Sequence, residues 1–309
     1  MSSLEIEQRL APATVALSRG YTSEGIDLMM DSLSQIRSEA GESWKSVITA
    51  IRSMSLFETA QACPFASHSF LKPRGYPGDA LLLDWIYRDY RLLRSPAPDS
   101  FAASVYRRTS ASPPASAVRW RRQHLASLID DVAMKVSSPS VLAIACGHLR
   151  EADLSASLQR GKVKRIVALD QDAESLREVD LRYKAAGMPV ATVKAAISDV
   201  IVGRYKISGF DLIYSAGLYD YLEDKVARKL TNKLFDGLNP GGQLILTNFL
   251  HGTPHIGWVE AIMDWFLIYR DMDQIRAFAS DIPKARIAFE HAYQCPTRSI
   301  GYLSLRKAE

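Results

Sequence analysis

Three observations predict an α/β chain: a mostly parallel sheet covered by helices, with an α-helical region ahead of it. The run Val141-Leu142-Ala143-Ile144-Ala145 is apolar without alternation and passes through Cys146 into Gly147, as a strand buried on both faces and closed by a tight turn would. Further apolar runs then alternate with helical patterns toward the C-terminus, the arrangement that builds parallel sheets. Before residue 60 the apolar residues recur instead at three- and four-residue steps, which places helices there.

The N-terminal helical pattern runs from Leu4 to about Phe57, with Ile26, Met29, Met30, Leu33 and Ile36 on one face and Trp44, Val47, Ile48 and Ile51 on another. Such stripes make a packing or dimerising element, or a cap over a neighbouring site. From Pro73 to Gly78 two prolines and two glycines mark a turn, after which Pro77 or Asp79 opens a helix over Ala80 to Tyr87. That turn concentrates Lys72, Arg74, Tyr76 and Asp79, and loops with such chemistry often carry function. Residues 93–116 are rich in Ser, Ala and Pro and are expected to form a linker or mobile flap. A basic amphipathic helix follows from Val118 to about Lys135, with Arg119, Arg121 and Arg122 on a solvated face.

Strands are expected at 141–146, 165–170, 190–194, 210–215 and 242–249, with a last pair near 285–292 and 299–305. Helices are expected at 172–187 and 223–237. The chain therefore divides into a helical N-terminal region over 1–116, with its linker, and an α/β domain over 117–309. The second strand, Ile166-Val167-Ala168-Leu169, ends in Asp170 about 20 residues after the Gly147 turn, the spacing of a nucleoside-binding α/β domain. There a glycine turn approaches the ligand and the acid accepts hydrogen bonds from both ribose hydroxyls. No Gly-x-Gly-x-x-Gly follows the first strand, which disfavours a nicotinamide-dependent oxidoreductase.

Composition narrows the partners. The chain has 309 residues, 47% of them apolar, enough for a sizeable core. A formal net charge of +4 from 38 basic and 34 acidic residues, with no basic run, points away from nucleic acid and suits a small anionic molecule. Three widely spaced cysteines, Cys63, Cys146 and Cys295, suggest neither a disulfide framework nor a zinc site, and a reducing cytoplasm fits best. No signal peptide is expected from Met1 to Glu7, and no membrane span anywhere. No cluster of His, Cys and carboxylates has the spacing of a metal site.

Phe210-Asp211-Leu212-Ile213-Tyr214-Ser215 and Leu238-Asn239-Pro240-Gly241-Gly242, taken with Ala145-Cys146-Gly147 and Asp170, resemble in order the motifs of class I S-adenosylmethionine-dependent methyltransferases. The resemblance covers residues 141 to about 305 and implies a Rossmann-like, doubly wound, mostly parallel seven-stranded sheet with a final antiparallel pair. Three segments, Lys72 to Asp79, Tyr214 to Tyr221 and Asp264 to Arg270, are similar to a bacterial subgroup named extracellular-factor 3-hydroxypalmitic acid methyl ester biosynthesis proteins. That likeness implies methylation of the carboxylate of a small or fatty organic acid in secondary metabolism. One departure is the first turn, Cys146-Gly147-His148, which has a single glycine where the superfamily commonly has more.

By this resemblance Ala145, Cys146 and Gly147 lie against the amino-acid part of S-adenosylmethionine, Asp170 holds the ribose and Gln171 flanks the adenine. Ala196, Ile197 and Ser198 also border the adenine, while Ser215, Ala216 and Gly217 form the floor near the sulfonium. Cys146, at the end of a buried strand, reads as a packing residue rather than a nucleophile. An ionised acid acceptor needs no general base, only a docking cation and a dry pocket. Arg74 is the first choice of clamp and Arg270 the second, with Tyr76, Tyr219, Tyr221 and Tyr269 completing the pocket. For a hydroxyl or amine acceptor, His148, His251 or His255 would be the candidate bases.

Overall fold

The computed structural model describes residues 1–309, which form two compact units. One comprises Met1–Arg119 with Thr253–Phe266, and the other Trp120–Gly252 with Leu267–Glu309. The expected boundary at 116/117 thus moves to 119/120, inside a helix, and the helical unit recruits a segment from far along the chain. Linear patterning cannot reveal such an insertion, because it is defined by packing.

The helical unit contains α1 (Ser3–Ser18), α2 (Thr22–Ala40), α3 (Trp44–Arg52), α4 (Ser55–Gln61), α5 (Pro64–Leu71), α6 (Ala80–Tyr87), α7 (Phe101–Ser110) and the start of α8 (Pro113–Lys135). The expected stripe Ile26, Met29, Met30, Leu33 and Ile36 is buried along α2. Asp79 opens α6 as its N-cap, its carboxylate accepting the Leu82 N–H at 2.7 Å. Residues 101–110 are helical, which corrects the expected linker: Ala103, Val105, Tyr106 and Thr109 bury one face of α7, and Ser100 caps it.

The second unit is built on a seven-stranded sheet of order β3-β2-β1-β4-β5-β7-β6. Its strands are β1 (Ser140–Ile144), β2 (Arg165–Asp170), β3 (Val190–Lys194), β4 (Phe210–Ser215), β5 (Leu238–Phe249), β6 (Ile287–Gln294) and β7 (Ile300–Lys307). The first five pair in parallel, and β7 runs antiparallel to both β5 and β6. The short α9 (Ala156–Gln159), α10 (Ala173–Val179), α11 (Ile197–Ile201) and α12 (Asp224–Asp236) connect the parallel strands. The expected helix over 172–187 changes at Asp180–Lys184 into a π-turn. Later come α13 (Ile256–Ala261), within the helical unit, and α14 (Met272–Arg276).

The Phe-Asp and Leu-Asn-Pro-Gly-Gly motifs meet at the start of the sheet. Asp211 accepts the Ser140 N–H of β1 at 2.8 Å and Asn239 Nδ2 of β5 at 2.8 Å, so one carboxylate ties three neighbouring strands. Strand β1 lies between β2 and β4, and the order reverses there. That reversal puts a ligand crevice at the carboxyl ends of β1 and β4.

Candidate active site

At those ends the fully buried strands give way to partly exposed backbone at Ala145, Cys146, Gly147, Ala216 and Gly217. The turn after β1 places Ala145 and Gly147 at φ +53° and +52°, in the left-handed region, with the Leu149 N–H closing back on the Cys146 carbonyl at 2.9 Å. Asp170, at the tip of β2, accepts the Gly147 N–H on Oδ2 and the Asp172 N–H on Oδ1, each at 2.9 Å. Burial raises the Asp170 carboxyl above its ordinary range, and those backbone hydrogen bonds oppose the shift. The carboxylate is therefore fixed in place with one lone pair per oxygen still able to accept from a diol.

Cys146 is unsuited to nucleophilic work. Burial, reinforced by the charges of Asp170 and Glu151, drives its thiol well above the ordinary value and keeps it protonated. Gln171 is exposed beside Asp170, while Ala196, Ile197 and Ser198 stand at the junction of β3 and α11, with Ser198 exposed. Ser215 is fully buried, and its hydroxyl donates to the Ile144 carbonyl at 3.3 Å, tying β4 to β1. Gly217, at φ +99°, donates its N–H to Thr247 Oγ1 at 3.3 Å.

Several residues around this floor were not singled out by sequence reasoning. Glu151 accepts the Tyr214 hydroxyl at 2.6 Å, bridging the turn after β1 to β4, and burial raises its carboxyl. Asp220 accepts the Phe249 N–H at 2.6 Å while its carbonyl accepts the Ile268 N–H at 2.7 Å. Arg121 of α8 is 3% exposed, which corrects its expected solvated place. Its Nη1 lies 3.3 Å from where a Cβ on Gly217 would stand, and its charge acts on Glu151 and Asp220. Arg119 is likewise engaged rather than solvated, donating to the Ile86 and Ser110 carbonyls at 3.2 and 2.6 Å.

Of the residues proposed for the acceptor, two have other work. Arg270 is 1% exposed, and its five N–H donors reach Asp224 twice, Asn248 Oδ1 and the Tyr219 and Leu222 carbonyls at 2.5–3.1 Å. Tyr219 is fully buried, its hydroxyl 2.9 Å from Thr231 and its ring packed on Phe278 at a centroid distance of 4.9 Å. Both brace the fold, Arg270 as a buried tie between carbonyls and Asp224 and Tyr219 as a core aromatic, in place of the expected clamp and pocket roles. Arg74 and Tyr76 lie half-buried in the helical unit, in the turn between α5 and α6. Beside them Lys72 and Arg52 pair with Asp264, the Arg52 contact at 2.7 Å.

A strand order that reverses beside a glycine turn, with an anchored acid at the tip of β2, defines a nucleoside-binding α/β domain. Residues 141–242 match the methyltransferase domain family, and the chain is an S-adenosylmethionine-dependent methyltransferase with S-adenosylmethionine as its methyl donor. The fold is similar to that of a possible exported protein from Bordetella parapertussis, at 17% identity and a TM-score of 0.56 over 84% of this chain and 99% of that one. It is also similar to the N-methyltransferase NodS from Bradyrhizobium japonicum WM9 in complex with S-adenosyl-L-homocysteine. There the identity is 16% and the TM-score 0.45, over 62% of this chain and 88% of that one. No curated protein matches the chain by sequence. No helix is long and apolar enough to cross a membrane.

Proposed function

We propose that the enzyme methylates the carboxylate of a small or fatty organic acid to a methyl ester. The observation that carries this reading is the state of the imidazoles that would serve a hydroxyl or amine acceptor. His148 is 3% exposed, with Nδ1 3.3 Å from Arg150 Nη2, His255 pairs with Asp31 at 3.2 Å, and His251 is exposed at the end of β5. None offers a positioned base in a dry site, whereas an ionised carboxylate needs none.

When bound, S-adenosylmethionine supplies an electrophilic methyl group on sulfur. The chain's part is then binding, orientation and exclusion of water. Asp170 would hold the ribose, the Ala145–Gly147 backbone the amino-acid part, and Ala196, Ile197, Ser198 and Gln171 the adenine. Ala216 and Gly217 would border the reacting centre, with Ser215 buried beneath them. Recognition of the acid through Arg74 and Tyr76, and pairing of two copies through the helical unit, belong to the same proposal.

Incubation with methyl-labelled S-adenosylmethionine and a panel of acids, alcohols and amines tests it. Label that is released as methanol by mild base marks an ester. A base-stable product made only from alcohols or amines would replace carboxyl methylation with O- or N-methylation.

A further inference from the structure

We propose that Arg121 holds a ligand carboxylate at the floor of the active site, where its guanidinium lies against Gly217. The side chain is 3% exposed, yet it makes no hydrogen bond and no ion pair. A guanidinium carries five N–H donors, and none of the Arg121 nitrogens is sealed from solvent, so they stay open to a ligand. Two acids that feel its charge are engaged elsewhere: Glu151 Oε1 takes the Tyr214 hydroxyl and Asp220 Oδ1 takes the Phe249 N–H. They lend the cation a favourable field without binding its donors.

The position fits a ligand. Gly217 follows β4 at the reversal of strand order, and its missing side chain leaves the guanidinium directly on the backbone of the cofactor floor. A carboxylate is the anion that matches a guanidinium fork, through two parallel hydrogen bonds. Two carboxylates enter this site: that of the methionine part of the cofactor and that of the acceptor acid. The acceptor source rests on the carboxyl-methylation reading; the cofactor source stands without it.

Calorimetry on Arg121→Met and Arg121→Lys, with S-adenosylhomocysteine and 5′-methylthioadenosine as probes, separates the sources, since the second probe lacks the amino-acid carboxylate. If Arg121 holds the cofactor, Arg121→Met weakens S-adenosylhomocysteine by about tenfold or more and leaves methylthioadenosine within about twofold. If it holds the acceptor, both probes bind as to wild type, and KM for the acid rises by about tenfold with kcat retained at saturation. Parallel weakening of both probes, or no change in either probe or in KM, overturns the proposal and leaves Arg121 as a counter-charge to Glu151 and Asp220. Arg121→Lys keeps the buried charge but not the fork, and it reads the same ratios should Arg121→Met fail to fold. An absence of ester in the labelled-acid assay would sink the carboxyl reading alone, since the probe ratio is measured without an acceptor.

Discussion

The Asp170 carboxylate, by accepting the Gly147 and Asp172 N–H groups, shapes the first turn and stays oriented for the ribose at the same time. Charge-assisted hydrogen bonds are worth about 1.5–3 kcal/mol each, so Asp170→Ala should weaken S-adenosylhomocysteine by about 10- to 100-fold. Calorimetry checks this, and unchanged affinity would end the ribose assignment. Arg270 is a brace of a different kind. Removing one partner of a buried charge network costs about 3–5 kcal/mol, because the other groups are left without partners. Arg270→Met should therefore lower the unfolding free energy measured in urea by that amount, and a raised KM at unaltered stability would return the residue to acceptor binding. Residue type alone does not separate these cases: an arginine followed two residues later by the start of a helix reads equally as a clamp or as a tie between backbone carbonyls.

Elements were legible where burial is one-sided or complete. Strands β1 and β2 are nearly continuous apolar runs, and α2 and α12 carry clean stripes, so their places follow from periodicity. Helix α7 was not, because Ser, Ala and Pro around it suggest a linker while its buried face of Ala103, Val105, Tyr106 and Thr109 is small and mixed. Arg121 had a usable signal, since it shares a helical stripe with Ala117, Val118, Leu125 and Leu128, all buried. At the other end of the sheet Gly242 is fixed by contact. A Cβ there would stand 2.9 Å from the Asn239 carbonyl oxygen and 3.0 Å from that of Phe210, both backbone atoms with no freedom to move away. Gly242→Ala should cost about 1–3 kcal/mol by overpacking, measured by urea unfolding. A loss below about 0.5 kcal/mol would mean that the β4–β5 pairing yields at its bulge.

For the molecule as a whole, the two-unit organisation was half legible: the helical and α/β regions follow from patterning, but the Thr253–Phe266 insertion is held by tertiary contacts inside the helical unit. Glu260 accepts Arg37 at 2.6 and 3.0 Å and Trp44 Nε1 at 2.7 Å, partners more than 200 residues away, as separations of 223 and 216 show. Global stability should also carry the mark of Asp220. Burial pushes its carboxyl to about 7, opposed by the Phe249 N–H and by the charges of Arg121 and Arg270. Between about pH 4 and 7 the folded chain keeps a proton there that the unfolded chain has released, so this group's contribution to stability falls as pH rises through that window. At 1.36 kcal/mol per unit the full swing is on the order of 4 kcal/mol. Other carboxylates act in the opposite sense: Asp264, despite the upward pull of burial, lies below its ordinary range through hydrogen bonds from Lys72 and Arg52. The informative quantity is therefore the difference between wild type and Asp220→Asn, whose amide oxygen still accepts the Phe249 N–H. Urea unfolding at pH 5, 6.5 and 8 should show the variant gaining on wild type by a few kcal/mol across the series. A difference that stays constant with pH would mean that Asp220 is ionised in the folded chain throughout this range.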